Sequence, residues 1–299
     1  MLVVLVVLIF YCVCYNPSIF FNSIIDTLYI WLMKVFPSLF TFYLISSLLI
    51  NFKILDKLSF FFKPIKKILR LKFQTNEAFN LFILSMFSGN PSTVLFINQN
   101  QDYITSFDAL TLLKCASFVS PIFIISFFSF DLKLAYILIF SHFFSNIIYC
   151  MFLTKNNKYL INKSNVKEND SFTNISNFLN SIKECMNILL MIASMMCLCN
   201  IIKYSITTLL NAIGLKSNLC KIFLSFFEIS TGLNDLISLN LNKLPFALLS
   251  SFLLGFGGLC IHLQVKNVMN SNLKFSSFFF ARLIHGSIST LITFTILIL

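Results

Sequence analysis

The chain is 299 residues long; 58% of its residues are hydrophobic and only 11% are charged. Soluble domains carry about 25% charged residues, so this composition, with a mean hydropathy of +0.87, excludes an ordinary soluble domain and points to an integral membrane protein. The net charge of +11 is spread over several short loops. That fits the positive-inside bias of membrane proteins better than a phosphate-tracking patch, and it argues against a nucleic-acid partner.

A spanning helix needs about 20 mostly apolar residues. Met1 to Tyr15 are apolar, without a basic n-region or a small-residue cleavage site. They read as a short spanning helix rather than a cleaved signal peptide. An amphipathic stretch follows at 18–34, then a span at 37–53. A second amphipathic stretch, 57–72, alternates basic and apolar residues from Lys63 to Lys72. It predicts an interfacial helix lying on anionic headgroups, which makes membrane lipid a partner. The apolar stretch 78–98 is interrupted by Ser88-Gly89-Asn90-Pro91-Ser92, and spans at 105–130 and 134–153 follow. Residues 154–184 form a hydrophilic linker rich in Asn, Lys and Ser. Beyond it lie a span at 185–206, a second interrupted stretch at 219–240, and spans at 245–264 and 275–298. This makes about seven spanning helices.

Lysine and arginine counts orient the chain. With the 51–77 loop and the linker cytoplasmic, fourteen basic residues lie inside and six outside. The count holds only if 78–98 and 219–240 are re-entrant hairpins that return to the side they came from. Residues 27–153 then form one repeat, with hairpin 78–98, and residues 185–299 a second, with hairpin 219–240. The two hairpins enter from opposite faces. The predicted fold is therefore an all-α polytopic membrane protein, a single membrane domain over 1–299, built as inverted-topology repeats with two re-entrant hairpins.

Helix breakers at membrane depth leave backbone groups that lipid cannot satisfy, so they survive only where protein or a water-filled cavity covers them. Ser88, Gly89, Asn90 and Pro91 supply such a break in the first hairpin; a Pro-kinked spanning helix is the alternative. In the second, Glu228 and Asp235 flank Ile229-Ser230-Thr231-Gly232-Leu233-Asn234. A carboxylate at membrane depth costs about 2.5–3.5 kcal/mol, which favours a functional role. Glu228 is positioned to bind a coupling Na+ or H+ or to accept hydrogen bonds from a solute; the structural alternative pairs it with a hydroxyl or Lys221. Asp235 sits nearer the interface. Gly255-Phe256-Gly257-Gly258 is the densest glycine cluster, with His262 one turn beyond and Gln264 close by. Glycines there permit close approach of another helix or of a ligand. Arg282 and His285, three apart, share a face of the last helix. Glu228 is the expected partner for Arg282, with snorkelling to the headgroups as the rival. Lys114 and His142 read as isolated structural residues.

The nine cysteines include C-x-C pairs inside apolar runs, but none has zinc-type spacing, so they read as small apolar packing residues. The chain carries no P-loop, no H-E-x-x-H and no nucleophile elbow. No enzyme activity, cofactor or metal is expected.

Six segments occur in an order that resembles a known family: Phe36-Pro37-Ser38-Leu39-Phe40, Ser88-Gly89-Asn90-Pro91, Ser120-Pro121-Ile122-Phe123-Ile124, Glu228-Ile229-Ser230-Thr231-Gly232, Gly255-Phe256-Gly257-Gly258 through His262-Leu263-Gln264-Val265, and Ala281-Arg282-Leu283-Ile284-His285. Together they look like the sporulation integral membrane protein YlbJ family, which carries the nucleoside-recognition or Gate domain also found in concentrative nucleoside transporters. The resemblance runs from about residue 27 to the end. It implies a multi-pass protein of a prokaryotic plasma membrane that recognises a small, ring-containing solute, nucleoside-like or a small aromatic dicarboxylate such as dipicolinate. It also implies an association with sporulation, and related folds often form homo-oligomers. Carried over by position, it favours Ser88, Gly89, Asn90, Pro91, Glu228, Thr231, Gly257, Gly258, His262 and Gln264 as cavity-lining residues. The function expected is movement of a small polar or anionic solute by alternating access, with Glu228, Asp235 and Arg282 as ion-coupling or charge-pairing groups. The alternative is a non-transporting scaffold or assembly factor for spore or envelope formation.

Overall fold

The computed structural model describes residues 2–52, 64–155, 174–215 and 217–299. Every regular element among them is helical. Five helical runs are long and apolar enough to cross a membrane: Pro17–Ile50, Leu132–Thr154, Phe178–Ala212, Lys243–Val268 and Phe275–Ile298. This is the architecture of an α-helical membrane protein. The expected seven included two segments outside this set. The first, α1 (Leu2–Tyr15), has only 14 residues, about 21 Å at 1.5 Å per residue, short of a ~30 Å hydrocarbon core. The second, 105–130, is split in two.

The predicted boundary between 18–34 and 37–53 is not a break. Helix α2 (Pro17–Ile30) passes through a π-helical turn, Trp31–Val35, directly into α3 (Phe36–Asn51). Pro37 explains the turn: it has no N–H to donate and its ring crowds the carbonyl four residues back. The wider π ladder, in which the Phe36 N–H reaches the Trp31 carbonyl, absorbs the misfit without ending the helix. Of the interfacial stretch 57–72, residues 57–63 lie outside the described residues, and 64–68 are helical.

The first interrupted stretch is two helices, α4 (Asn76–Ser88) and α5 (Ser92–Gln99), packed on each other. Segment 105–130 follows as α6 (Ser106–Cys115) and α7 (Pro121–Phe127), separated by non-helical residues 116–120. Helix α8 (Leu132–Thr154) spans unbroken. Most of the linker lies outside the described residues, but its end, from Asn174, already belongs to α9 (Asn174–Ala212). At 39 residues, or roughly 58 Å, α9 is too long for the bilayer core, and its polar N-terminal part extends past the apolar run that begins at Phe178. The second interrupted stretch is again a packed pair, α10 (Asn218–Ser225) and α11 (Ile229–Ser238). Helices α12 (Lys243–Phe256) and α13 (Gly258–Val268) form one span with a break at Gly257, and α14 (Phe275–Ile298) completes the fold.

Two layers result. On one side α14 packs against α12, α8 and α6; on the other α9 packs against α3, α2 and α13. The α12–α14 crossing depends on glycine: a Cβ on Gly255 would lie 2.6 Å from the Gly286 Cα. Small residues at such a crossing let two backbones touch where no hydrophobic effect drives them together. Thr293 Oγ1 extends the same seam with a 3.0 Å hydrogen bond to Ser251 Oγ.

Candidate functional site

The four helix breaks satisfy one another in pairs. In the first pair, the Asn90 N–H donates to the Phe118 carbonyl at 3.0 Å, and Thr93 Oγ1 donates to the Ala116 carbonyl. In the second pair, the Leu259 and Cys260 N–H groups donate to the Phe226 and Phe227 carbonyls at 2.8 and 2.9 Å. That second contact requires the helix to break at Gly257 and Gly258, whose φ values of 93° and 63° favour glycine. Each interrupted pair of helices is therefore stitched by its backbone to the broken helix that follows it, which answers the demand that non-helical backbone at membrane depth be covered by protein.

Between the breaks lies a cavity of about 50 Å³. Asn90, Ser120, Glu228, Ser230 and Gln264 supply its polar lining, and Val35, Leu39, Phe123, Ile192, Met196 and Ile261 are among its apolar walls. The π-helical turn brings Val35 to the wall, one turn before Leu39. Pockets that enclose a drug-sized ligand measure about 300–1,000 Å³, so this conformation holds an ion or a few waters and would have to widen around a ring-containing solute.

Glu228 is 4% exposed and caps α11: its Oε1 accepts from the Ser230 N–H at 3.0 Å and its Oε2 from the Thr231 N–H at 2.8 Å. Short polar residues are the usual N-caps. Here the longer glutamate folds back onto the helix start, where its two oxygens cap the free amides at the positive end of the helix dipole. Two accepted bonds leave further lone pairs. Asn90 adds a buried Oδ1 with no partner, while Ser120 Oγ accepts from the Phe123 N–H at 3.3 Å. Among the described residues no cationic side chain lines the cavity. Its walls are mostly apolar, and the few polar groups among them are chiefly oxygens, suited to a cation or to an apolar solute that carries N–H or O–H groups.

The other expected site residues divide by location. Asn90, Glu228 and Gln264 line the cavity. Ser88, Gly89, Pro91, Gly257 and Gly258 shape the breaks around it without lining it. Thr231 faces away, accepting from Lys203 Nζ at 3.3 Å and donating to Asn200 Oδ1 at 2.7 Å. Asn200 in turn donates to Thr27 Oγ1 at 2.9 Å, and Lys203 pairs with Asp235. Asp235 therefore belongs to a polar chain that ties α11 to α9 and α2. His262 turns away from the cavity as well. Its Nδ1 lies 2.7 Å from the Gly258 carbonyl, and its ring sits among Phe256, Phe275, Phe278 and Phe279.

Arg282 does not pair with Glu228, and it does not snorkel. It is 0% exposed, and its Nη2 donates to the Lys114 carbonyl at 2.7 Å near the C-terminus of α6. Beside it, His142 Nδ1 and His285 Nε2 are 3.0 Å apart, and Ser145 Oγ is 3.0 Å from His285 Nδ1. His142 is thus no isolated residue. With Ser145, Asn146 and Tyr149 it forms a polar stripe at helical spacing along α8, a signal present in the sequence but masked by the apolar residues between. Ser120 and Ser230, the cavity hydroxyls, flank expected residues and carry no spacing signal of their own.

A second, wider pocket of about 610 Å³ opens at one end of the molecule, lined by Asn98, Gln101, Thr105, Asn270, Lys274 and Ser277 among others. At its edge Asn98 Nδ2 donates to the Val268 carbonyl at 2.7 Å, one helical turn along α13 from cavity-lining Gln264. Comparisons of the chain with protein-family models, curated proteins and solved structures return no match.

Proposed function

We propose that this protein is a membrane transporter-like protein that binds a small polar solute or a coupling cation, Na+ or H+, between its four helix breaks and exposes it alternately to the two faces of the membrane. The observation that carries the reading is the cavity where the breaks meet, with Asn90, Ser120, Glu228, Ser230 and Gln264 among its lining. Unwound backbone, half-helix termini and a buried carboxylate at one point are the parts from which secondary transporters build midplane sites. The matching backbone links, Asn90 to Phe118 and Leu259 to Phe226, support the inverted-repeat reading, and the resemblance to the YlbJ and Gate-domain proteins supports a nucleoside-like or small aromatic solute. The buried Glu228 carboxylate adds a constraint: an anionic solute enters this cavity only with a cation beside it. In this reading the 610 Å³ pocket is the vestibule of the pathway, with the Asn98–Val268 contact at its edge.

Thermal unfolding of the detergent-purified protein tests this against nucleosides, nucleobases, small amines and dipicolinate, each in sodium and in choline buffer. Stabilisation by Na+ or by a solute, absent in Glu228→Gln, supports the reading. A well-folded sample that responds to none of them favours the scaffold reading instead.

A further inference from the structure

A second buried polar site lies apart from this cavity, and its electrostatics have the opposite sign. Arg282 has five N–H bonds, and the Lys114 carbonyl accepts one of them at 2.7 Å. Nε and Nη1 are buried without a partner. No carboxylate forms an ion pair with Arg282 among the described residues, where the two ion pairs are Lys203–Asp235 and Lys243–Asp131. The surroundings supply no negative charge either. The Phe278 ring covers the guanidinium at 5.7 Å, and the titratable side chains around it are Cys115 of α6, His142 and Tyr149 of α8 and His285 of its own helix, none of them a carboxylate. An arginine stays protonated even when buried, and a buried charge needs a counter-charge as well as hydrogen bonds. The α6 C-terminus at Lys114 offers only the partial negative charge of a helix end. Water would satisfy the free N–H bonds but would leave the charge uncompensated.

We propose that Arg282 holds a small monovalent anion, a halide or a small carboxylate, in the core between α6, α8 and α14. The anion takes the free guanidinium N–H bonds and supplies the counter-charge that the protein does not. This assignment does not depend on the transport reading, because the site shares no residue with the lining of the cavity between the helix breaks.

The test uses the intact detergent-purified protein, moved from chloride into gluconate, a much bulkier anion. Bound halide is counted by ion chromatography, and thermal unfolding is followed as chloride, bromide or formate is added back. The site predicts about one bound halide per chain, an unfolding midpoint that falls in gluconate and recovers with small anions, and a bromide anomalous peak at the guanidinium. Arg282→Gln loses both the bound ion and the anion dependence. Recovery with formate but not with halide identifies a carboxylate site; recovery with both identifies a general anion site. Wild-type protein that binds no halide and unfolds identically in all four anions overturns the proposal. That outcome is read on wild-type protein alone, so it stands even where Arg282→Gln does not fold.

Discussion

Replacing Glu228 by Gln keeps the side-chain shape and removes its charge, and the structure allows the consequences to be weighed. The carboxylate accepts two backbone N–H bonds at the start of α11. A glutamine oxygen keeps one as a neutral bond, losing about 1 kcal/mol, and the amide nitrogen cannot accept the other, losing about 1.5–3 kcal/mol. Against that, the variant no longer holds a charge at membrane depth, a relief of about 2.5–3.5 kcal/mol on insertion scales. The terms nearly cancel, so ligand-free Glu228→Gln is expected to unfold close to wild type. The ligand response should differ sharply. A cation or solute at 100 times its dissociation constant adds about 2.7 kcal/mol, roughly 5 °C for a chain of this size, and the variant should lose most of that shift. The assay is thermal unfolding in micelles with and without Na+ or solute. A Glu228→Gln protein that unfolds like wild type yet keeps the full ligand shift would refute the assignment, leaving Glu228 as a cap alone.

Three further outcomes follow from other parts of the structure. Gly255→Ala places a methyl 2.6 Å from the Gly286 Cα, so α12 and α14 must separate, and unfolding should show a loss of about 1–3 kcal/mol; an unchanged midpoint would mean the crossing is not close. Asp108→Ala removes the acceptor of the Gln74 and Thr75 N–H groups and of Thr75 Oγ1, a loss of about 2–5 kcal/mol in the same measurement, whereas full stability would show that the 74–75 turn does not need it. The Asp131 carboxyl, half-buried at the start of α8, is held below its ordinary value of 3.8, chiefly by the Leu134 N–H and also by Lys243. Its stabilising contribution is therefore complete above that value and is lost as pH falls below it, and Asp131→Asn should flatten this acid limb of the stability profile.

Much of the fold could be read from breaker positions. Gly89-Asn90-Pro91, Ser120-Pro121 and Gly257-Gly258 mark breaks that the structure contains, because no local chemistry can hide a proline or a positive-φ glycine. Pro37 misled for the same reason: the sequence shows that the ladder must be disturbed there, but not that a π turn absorbs the disturbance and carries α2 into α3. Asn90, Glu228 and Gln264, which line the cavity, are legible as candidates because polar groups stand out in apolar segments. The direction in which such groups point is not. His262 is one turn from Gly258, and only the packing of four phenylalanines decides that it turns away. The Arg282 environment depends on contacts across more than a hundred residues, from Lys114 and His142 to the last helix, and periodicity within one helix does not carry that information.

The central claim, that the cavity between the helix breaks opens to a solute, has a native reporter in Cys260, which is buried on its wall. The measurement is modification of Cys260 by a small methanethiosulfonate reagent in proteoliposomes, read by peptide mass spectrometry, with the buried Cys115 as an internal reference. The account predicts slow labelling of Cys260 but not of Cys115, with a rate that changes when Na+ or a stabilising solute is present. Cys260 that stays unlabelled from both faces under every condition would contradict it and leave the cavity a sealed packing defect.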